Sequence, residues 1–456
     1  MKRLNDGSLN LAAISDVYVP KADYLSEDFA KAEAEYLWPK VWQIACRLEE
    51  IPNVGDFVTY DIVNDSIVVV RVGENEIRAF HNSCQHRGTR LTNGCGAMKQ
   101  FVCPFHGWRW KLDGQNIHVT DEKDWNGRLN RDELQLAAVQ VDTWAGWVWI
   151  NMDPEAAPLR DFLAPVIERC DKFDFHELRF RWYKTVKVPV NWKVSLEAFN
   201  EAYHVPQTHP EVLEYNESYT RSMAYGPHGA FASAASPVTG LRGLRRSSRI
   251  GGPRPGDHPR DYILAYVEDF NKELKAMVSE RTYLASQRLR DEMTDEATEE
   301  EVMRAWATFQ REACIEDGAN WPDFTPEYLL ASNSDWHLFP NTIFLHAGID
   351  NVLWYRSRPD GLNPDSSFFD VWSLERYAPG DEPPLVREYY DNWREAEWGR
   401  ILEQDFQNMP LVQQGMKSRG FKGARTNPSQ EVSVSNFHRA LHEHIEAAIR
   451  EEQKGA

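Results

Sequence analysis

Two short pairs of metal-binding residues lie close together in the first quarter of the chain. Cys84 and His86 have the spacing Cys-x-His, and Cys103 and His106, after sixteen intervening residues, have the spacing Cys-x-x-His. Two thiolates and two imidazoles suit a two-iron, two-sulfur cluster in which the cysteines hold one iron and the histidines the other. Neutral nitrogen donors raise the reduction potential of such a cluster. The pattern therefore predicts a centre that transfers single electrons.

The residues around both pairs favour this kind of cluster, which is called a Rieske centre. The segments read Cys-Gln-His-Arg-Gly from Cys84 and Cys-Pro-Phe-His-Gly-Trp from Cys103, so each pair lies on a short loop next to glycine or proline. The alternative is a structural zinc site, which also uses cysteine and histidine. Zinc sites commonly use Cys-x₂₋₄-Cys or His-x₃₋₅-His pairs, and a Cys-x-His pair is unusual for them. Cys95, between the pairs, is expected to be structural.

A second group of candidate ligands follows later in the chain. Residues 191–204 have helical composition, and within them Glu197, Glu201 and His204 are spaced i, i+4 and i+7. On one continuous helix these three side chains would share a face. Carboxylates and an imidazole buried on that face would need polar or metal partners. The spacing therefore predicts a metal site on this helix.

A proline and a second histidine come directly after this segment. Pro206 is expected to end the helix just after His204, because proline disfavours the helical conformation of the preceding residue. The break would allow His209 to turn back onto the same ion. Two histidines and one carboxylate bind ferrous iron and leave coordination positions open for oxygen. A mononuclear iron site is therefore expected in addition to the electron-transfer centre.

Both motifs resemble those of the large (alpha) subunits of Rieske non-haem iron oxygenases, the ring-hydroxylating oxygenase family. The resemblance implies that His204 and His209 share the iron with an aspartate late in the chain. Asp405 matches that aspartate within a helix-like segment, and Glu403 is the alternative. At Glu201 family members commonly carry aspartate, a carboxylate that bridges a cluster histidine of one subunit to an iron histidine of its neighbour. Some members, including ones that act on quaternary amines, carry glutamate there.

The resemblance also implies an activity and its partners. We expect a terminal oxygenase component that uses O₂, and electrons from a separate NAD(P)H-dependent reductase with or without a ferredoxin, to mono- or dihydroxylate an aromatic or other hydrophobic small molecule. A role in aromatic hydrocarbon catabolism would follow. The first alternative is oxidative demethylation or monooxygenation of a quaternary amine or another non-aromatic substrate. The second is a Rieske electron-transfer protein without oxygenase chemistry. The implied assembly is a homotrimer or a trimer of trimers, because the bridge needs a neighbouring subunit.

Composition narrows the range of partners. The chain has 456 residues and a net charge of −19, which argues against nucleic-acid binding. The sequence has no run of about eighteen apolar residues, so we expect no membrane span. The first residues lack the apolar core of a signal peptide. We therefore expect a cytoplasmic protein. The sequence contains neither a Gly-x-Gly-x-x-Gly dinucleotide motif nor a plant-type ferredoxin cysteine spacing, so its electrons should come from another protein.

Strand-like and helical segments indicate how these residues are positioned. The predicted fold is α+β. Residues 1–40 form a helical segment that packs on the catalytic domain, 41–155 a small antiparallel β Rieske domain, and 156–456 a larger helix-grip catalytic domain with an antiparallel sheet flanked by helices. Predicted strands are 41–47, 56–62, 66–72, 76–80, 146–150, 179–190, 335–357 and 367–376, and predicted helices are 22–36, 191–204, 262–317, 384–408 and 431–450.

The remaining segments are expected to have no direct role. Residues 240–258 are rich in Gly, Pro, Arg and Ser and are predicted to be a long loop with a solvated basic stretch. The ten histidines outside the two motifs are expected to be structural. Among them, His442 and His444 are expected to lie on the surface at the end of a helix.

Overall fold

The computed structural model describes residues 14–215, 219–233, 257–333, 335–346 and 348–455. Its strands are β1 (Val19–Pro20), β2 (Gln43–Arg47), β3 (Asp56–Ile62), β4 (Asp65–Gly73), β5 (Glu76–His81), β6 (Cys95–Ala97), β7 (Phe101–Val102), β8 (Arg109–Trp110), β9 (Asn116–His118), β10 (Ala138–Trp144), β11 (Trp147–Asn151), β12 (Leu178–Val188), β13 (Thr220–Tyr225), β14 (His228–Ser233), β15 (Asp335–Leu338), β16 (Thr342–Leu345), β17 (Asn351–Asp360), β18 (Asn363–Arg376), β19 (Arg387–Tyr390) and β20 (Gly423–Ala424). Its α-helices are α1 (Ala22–Leu25), α2 (Glu27–Ala32), α3 (Leu159–Phe162), α4 (Ala164–Cys170), α5 (Trp192–Glu197), α6 (Val205–Thr208), α7 (Pro259–Asp269), α8 (Glu280–Glu292), α9 (Glu299–Glu316), α10 (Pro326–Ala331), α11 (Arg400–Met416) and α12 (Val432–Gly455).

Two compact units divide the chain. The smaller unit is Ala32–Leu163, and the larger unit combines the residues up to Lys31 with Ala164–Ala456. The first boundary therefore falls at the end of α2, and the second falls between α3 and α4. The sequence placed these boundaries at 40/41 and 155/156. The larger unit is consequently discontinuous in sequence, because the whole of the smaller unit lies between its two segments along the chain.

The smaller unit is built on an antiparallel sheet with the strand order β2-β11-β10-β5-β4-β3-β6, accompanied by a three-stranded sheet β7-β8-β9. Phe80, Phe101 and Trp110 pack in its core, and Cys84 and Cys103 are buried among them. The Trp110 indole N–H donates to the Leu134 carbonyl at 2.6 Å, so even this fully buried polar group is paired. Both cysteines are therefore buried among apolar side chains of this core.

The larger unit contains an eight-stranded sheet with the order β13-β14-β15-β16-β17-β18-β12-β19. All of its pairs are antiparallel except β12–β19, which is parallel. Helix α5 lies against β17 and β18, where the hydroxyls of Ser195 and Ser357 are 2.8 Å apart. Helix α12 lies against β13 and β14 at Gly229, where a Cβ would overlap Ser433. Antiparallel sheets with flanking helices confirm the predicted α+β fold.

Two predicted helices have other bounds in the structure, and one predicted loop falls almost wholly outside the described residues. The helix predicted for 191–204 ends at Glu197. The helix predicted for 384–408 begins only at Arg400, and the residues before it include β19 on the edge of the sheet. The loop predicted for 240–258 lies outside the described residues apart from its last two. Among the described residues, no helix is both long enough and apolar enough to cross a bilayer.

We expect the substitution Gly399→Ala to destabilise the larger unit. Gly399 precedes α11 with φ +83°, and a Cβ there would overlap the carbonyl oxygen of Glu273. Backbone strain and overlap together should lower the free energy of unfolding by about 2–4 kcal/mol. The measurement is chemical denaturation followed by tryptophan fluorescence. Gly415→Ala, inside the same helix and with open space at its Cβ, is the control and should be neutral or slightly stabilising. Equal midpoints for both variants would contradict this account.

Candidate metal centres

The two loops that carry the cysteine–histidine pairs share one backbone conformation. The carbonyl of Cys84 accepts the N–H of Gly88 at 2.9 Å, and the carbonyl of Cys103 accepts the N–H of Gly107 at 3.0 Å. Both glycines have positive φ, +74° and +73°, a conformation that costs other residues energy. The same turn therefore presents each pair, although the histidine comes one residue later in the second.

The donor atoms of the four residues face a common region. The rings of His86 and His106 have centroids 4.7 Å apart, and Trp108 stacks on His86 at 4.8 Å. The Nδ1 atoms of both histidines are buried without a hydrogen-bond partner. Burial raises the pKa of the Cys84 thiol, and so does its hydrogen bond with Cys103. Two adjacent sulfurs and two unpartnered nitrogens are the donors that a Rieske cluster uses.

The spacing of these donors argues against zinc. A tetrahedral zinc ion, with bonds of about 2.0–2.3 Å, would hold its four ligand atoms within about 4 Å of one another. In the part of the chain that the structure describes, only one group of three or more His, Cys, Asp or Glu donors lies within 4.8 Å, and it includes none of these four residues. A cluster with two irons separates its sulfur and nitrogen ligands further, so the arrangement fits the cluster better.

That compact group consists of His204, His209 and Asp405. Asp405 Oδ1 lies 3.1 Å from His209 Nε2 and 3.6 Å from His204 Nε2. His209 and Asp405 are 3% and 4% exposed, so bulk water has little access to them. Glu403, the alternative to Asp405, does not belong to the group. The structure thus brings together the three predicted iron ligands, and their donor set fits ferrous iron.

The local backbone differs from the predicted continuous helix. His204 and His209 flank the one-turn helix α6, and the N–H of His209 donates to the Val205 carbonyl at 2.8 Å. Pro206 lies in the first turn of α6, so it begins this helix instead of ending the previous one. The prediction that Glu197 shares a helical face with His204 is wrong, since α5 has already ended. A single turn is enough to direct both imidazoles at Asp405.

Each imidazole is anchored at Nδ1 by a different partner. His204 Nδ1 lies 2.6 Å from Glu201 Oε1, and His209 Nδ1 lies 2.7 Å from Gln404 Oε1. Burial lowers the pKa of His204, but the carboxylates of Glu201 and Asp405 raise it, to about 9 on balance. Anchoring at Nδ1 leaves both Nε2 atoms directed at Asp405, as metal ligation requires.

Glu201 uses both of its carboxylate oxygens locally. Its second oxygen accepts the backbone N–H groups of Tyr203 and His204, the latter at 3.1 Å. The side chain is only 10% exposed. These contacts fix the carboxylate against the ring of a candidate ligand. Its proposed second partner, a cluster histidine of a neighbouring subunit, stays a prediction.

Sequence reasoning missed a buried polar network beside this site. His438 Nε2 lies 2.6 Å from Glu197 Oε1, and its Nδ1 lies 2.9 Å from Asp23 Oδ2, which also contacts His442 at 2.8 Å. His442 is buried within α12, so the prediction that it lies on the surface is wrong. The i, i+4 spacing of the two histidines was the available signal, but their acidic partners come from distant segments. Sequence reasoning also missed Gln404.

Two family models match the chain. The model described as "Ring hydroxylating alpha subunit (catalytic domain)" matches residues 175–447, and the model described as "Rieske [2Fe-2S] domain" matches residues 41–137. The first contains all three members of the compact group, and the second contains both cysteine–histidine pairs. These matches confirm the resemblance that the motifs indicated.

Several characterised proteins are similar over part of their length. The carnitine monooxygenase oxygenase subunit of Escherichia coli (strain K12) is 35% identical over 197 residues, 42% of this chain and 52% of the relative. The glycine betaine monooxygenase oxygenase subunit of Pseudomonas aeruginosa (strain UCBPP-PA14) is 30% identical over 197 residues, which are 43% of this chain and 46% of the relative. The large oxygenase component of the naphthalene 1,2-dioxygenase system of Pseudomonas putida is 34% identical over 233 residues, which are 49% of this chain and 50% of the relative. The chain thus spans about half the length of these relatives.

Solved structures resemble nearly the whole chain. A quaternary ammonium Rieske monooxygenase in complex with L-carnitine has a TM-score of 0.60 and 18% identity, over 94% of this chain and 96% of that one. Naphthalene 1,2-dioxygenase with indole bound has a TM-score of 0.62 and 21% identity, over 95% of this chain and 93% of that one. At these identities the likeness shows a shared fold.

Proposed function

Because the chain belongs to the ring-hydroxylating alpha subunit family, we propose that it is the terminal oxygenase component of an enzyme that uses O₂ to oxidise a quaternary amine. The observation that carries the proposal is the compact group of His204, His209 and Asp405 within the matched catalytic domain. In this proposal the group binds a ferrous ion. The [2Fe–2S] cluster is bound by Cys84, His86, Cys103 and His106.

The chain's own residues prepare the iron site in three ways. Two neutral imidazoles and one carboxylate occupy only part of an octahedral coordination sphere and partly balance the ion's charge. Glu201 and Gln404 hold the rings so that Nε2 points inward. Burial of His209 and Asp405 keeps bulk water away. When bound, the ferrous ion would supply the activation of dioxygen for attack on a substrate C–H bond.

Glu201 is proposed to link the two centres. In this assignment it bridges His204 to a cluster histidine of a neighbouring subunit, as the family resemblance implies. Its contact with His204 at 2.6 Å is one half of that bridge. The assignment requires an oligomer, and we expect a homotrimer or a trimer of trimers. Electrons would come from a separate NAD(P)H-dependent reductase, with or without a ferredoxin, and the cytoplasmic location stays a prediction.

Two observations favour a quaternary amine over an aromatic hydrocarbon. The relatives named for carnitine and glycine betaine match the chain at 35% and 30% identity, and Glu201 stands where family members commonly carry aspartate. The naphthalene dioxygenase component is also similar, but the aromatic substrate expected first from the sequence has the weaker support. Hydroxylation of a carbon bonded to the quaternary nitrogen would give an unstable product that splits into a tertiary amine and a carbonyl compound.

Oxygen uptake with product analysis tests this proposal. Purified protein, reduced by NADH through a surrogate reductase, is supplied separately with carnitine, glycine betaine and naphthalene. We expect uptake matched by amine and carbonyl products for a quaternary amine and none for naphthalene. The matched control is a neutral analogue in which a tert-butyl group replaces the trimethylammonium group. A naphthalene diol would favour the aromatic alternative, and iron in the cluster alone with no O₂ consumption would favour an electron-transfer protein.

A further inference from the structure

The two histidines of the compact group have chemically different anchors. Glu201, the anchor of His204, is a carboxylate and can only accept a hydrogen bond while ionised. Gln404, the anchor of His209, is a neutral amide that can accept through Oε1 or donate through Nε2. The tautomer of His209 therefore depends on which end of this amide faces it.

Glu211 decides the orientation of that amide. Gln404 Nε2 donates to Glu211 Oε1 at 3.2 Å. An ionised carboxylate only accepts, so the amide must present its nitrogen to Glu211 and its oxygen to His209. His209 Nδ1 then donates to Gln404 Oε1, so Nε2, which faces Asp405, is the nitrogen that remains to bind a metal ion. A residue outside the compact group thus selects the ligating tautomer.

A series of contacts between charged side chains connects Glu211 to helix α7. Arg400 Nε lies 3.5 Å from Glu211 Oε1, and its Nη2 lies 2.8 Å from Asp269 Oδ1 at the end of α7. The Tyr215 hydroxyl donates to the other oxygen of Asp269 at 2.7 Å. The Arg400 guanidinium lies between the carboxylates of Glu211 and Asp269, and its hydrogen bond to Asp269 holds the arginine in place. The contacts of Gln404 with Glu211 and His209 are hydrogen bonds, and so is that of Arg400 with Asp269, whereas Arg400 and Glu211 form an ion pair.

We propose that Gln404, oriented by Glu211 and Arg400, is a positioning residue that fixes the metal-binding tautomer of His209. The inference rests on the proposed function, because it assumes that the compact group binds iron. It adds that affinity for the ion is set partly by residues that do not touch it. Partners of ligating histidines typically change metal affinity by 10–100-fold when they are removed.

Iron binding to a set of variants tests the proposal. Fe(II) affinity is measured by competition with a chelator, after the cluster content has been matched by absorbance. Gln404→Leu should weaken binding by about 10–100-fold. Gln404→Glu, which keeps an acceptor at the same place, should restore it. Glu211→Gln, which no longer dictates the amide orientation, should weaken binding by about 10-fold. Gln407→Leu, an exposed position on the same helix, is the control and should bind normally.

A spectroscopic readout separates positioning from simple loss of structure. The electron paramagnetic resonance spectrum of the ferrous–nitric oxide adduct reports the symmetry of the ligand field. It should change in Gln404→Leu and return towards wild type in Gln404→Glu. Wild-type affinity in Gln404→Leu, or failure of Gln404→Glu to restore binding, would overturn the proposal. Normal iron binding by the wild type without O₂ consumption would instead refute the proposed oxygenase function and leave this test valid.

Discussion

In the Glu201→Gln variant the rate of product formation is expected to fall by about 100-fold or more, while the absorption spectrum of the cluster stays unchanged. The carboxylate lies 2.6 Å from His204 Nδ1, and its other oxygen accepts the His204 N–H at 3.1 Å. Glutamine has almost the same shape but no charge, so it accepts a weaker hydrogen bond from His204 Nδ1 than the carboxylate does. If Glu201 also reaches a cluster histidine of a neighbouring subunit, the substitution weakens both halves of the bridge.

Single-turnover experiments measure this effect directly. Reduced protein is mixed with O₂ and substrate, and both reoxidation of the cluster and product per cluster are followed. Glu201→Asp is the matched control, because it restores the charge on a side chain shorter by one methylene group, and it should keep part of the activity. Wild-type turnover in Glu201→Gln would remove this residue from the path between the centres.

The Asp405→Asn variant is expected to lose the proposed mononuclear iron and to lower the rate of the proposed oxygenase reaction by more than about 100-fold. Asp405 supplies the only carboxylate of the compact group and lies within 3.6 Å of both Nε2 atoms. An amide oxygen is a much weaker ligand for ferrous iron than a carboxylate, and it leaves the charge of the ion unbalanced. The cluster, whose donors lie elsewhere, should be retained.

Iron analysis alongside the cluster spectrum checks this prediction. Asp405→Asn should contain one iron per chain fewer than wild type with the same cluster absorbance. Glu403→Gln is the control, since Glu403 lies on the same helix but outside the compact group. Loss of iron in Glu403→Gln with normal iron in Asp405→Asn would exchange the roles of the two carboxylates.

The cluster motif could be predicted from sequence because its determinants are local. Each cysteine–histidine pair lies on one turn, and the glycine that the turn needs at positive φ is part of the motif. The long antiparallel strands were also predictable, because their residues are strongly β-branched and aromatic. Asp405 was found through the family resemblance, since spacing alone could not choose between it and Glu403.

The shape of the ligand segment could not be predicted, because distant contacts override its helical propensity. Glu197 Oε1 lies 2.6 Å from His438 Nε2, and the Asn200 side chain accepts a hydrogen bond from Ser433. Both partners lie on α12, more than two hundred residues later. These contacts end α5 where the local sequence would continue it. Pro206 was the one local signal that was misread, since proline is also common in the first turn of a helix.

The discontinuity of the larger unit has a consequence for how the chain is made. Its early part joins its late part through the pairing of Val19 with Ala424 and through the contact of Asp23 with His438. Domains generally fold as units during synthesis, in order of emergence. The cluster-bearing unit can therefore fold once Leu163 has left the ribosome, whereas Val19 must wait for β20 and Asp23 for α12. Nascent chains released before that helix is complete should expose an unmatched N-terminal segment to proteases and chaperones.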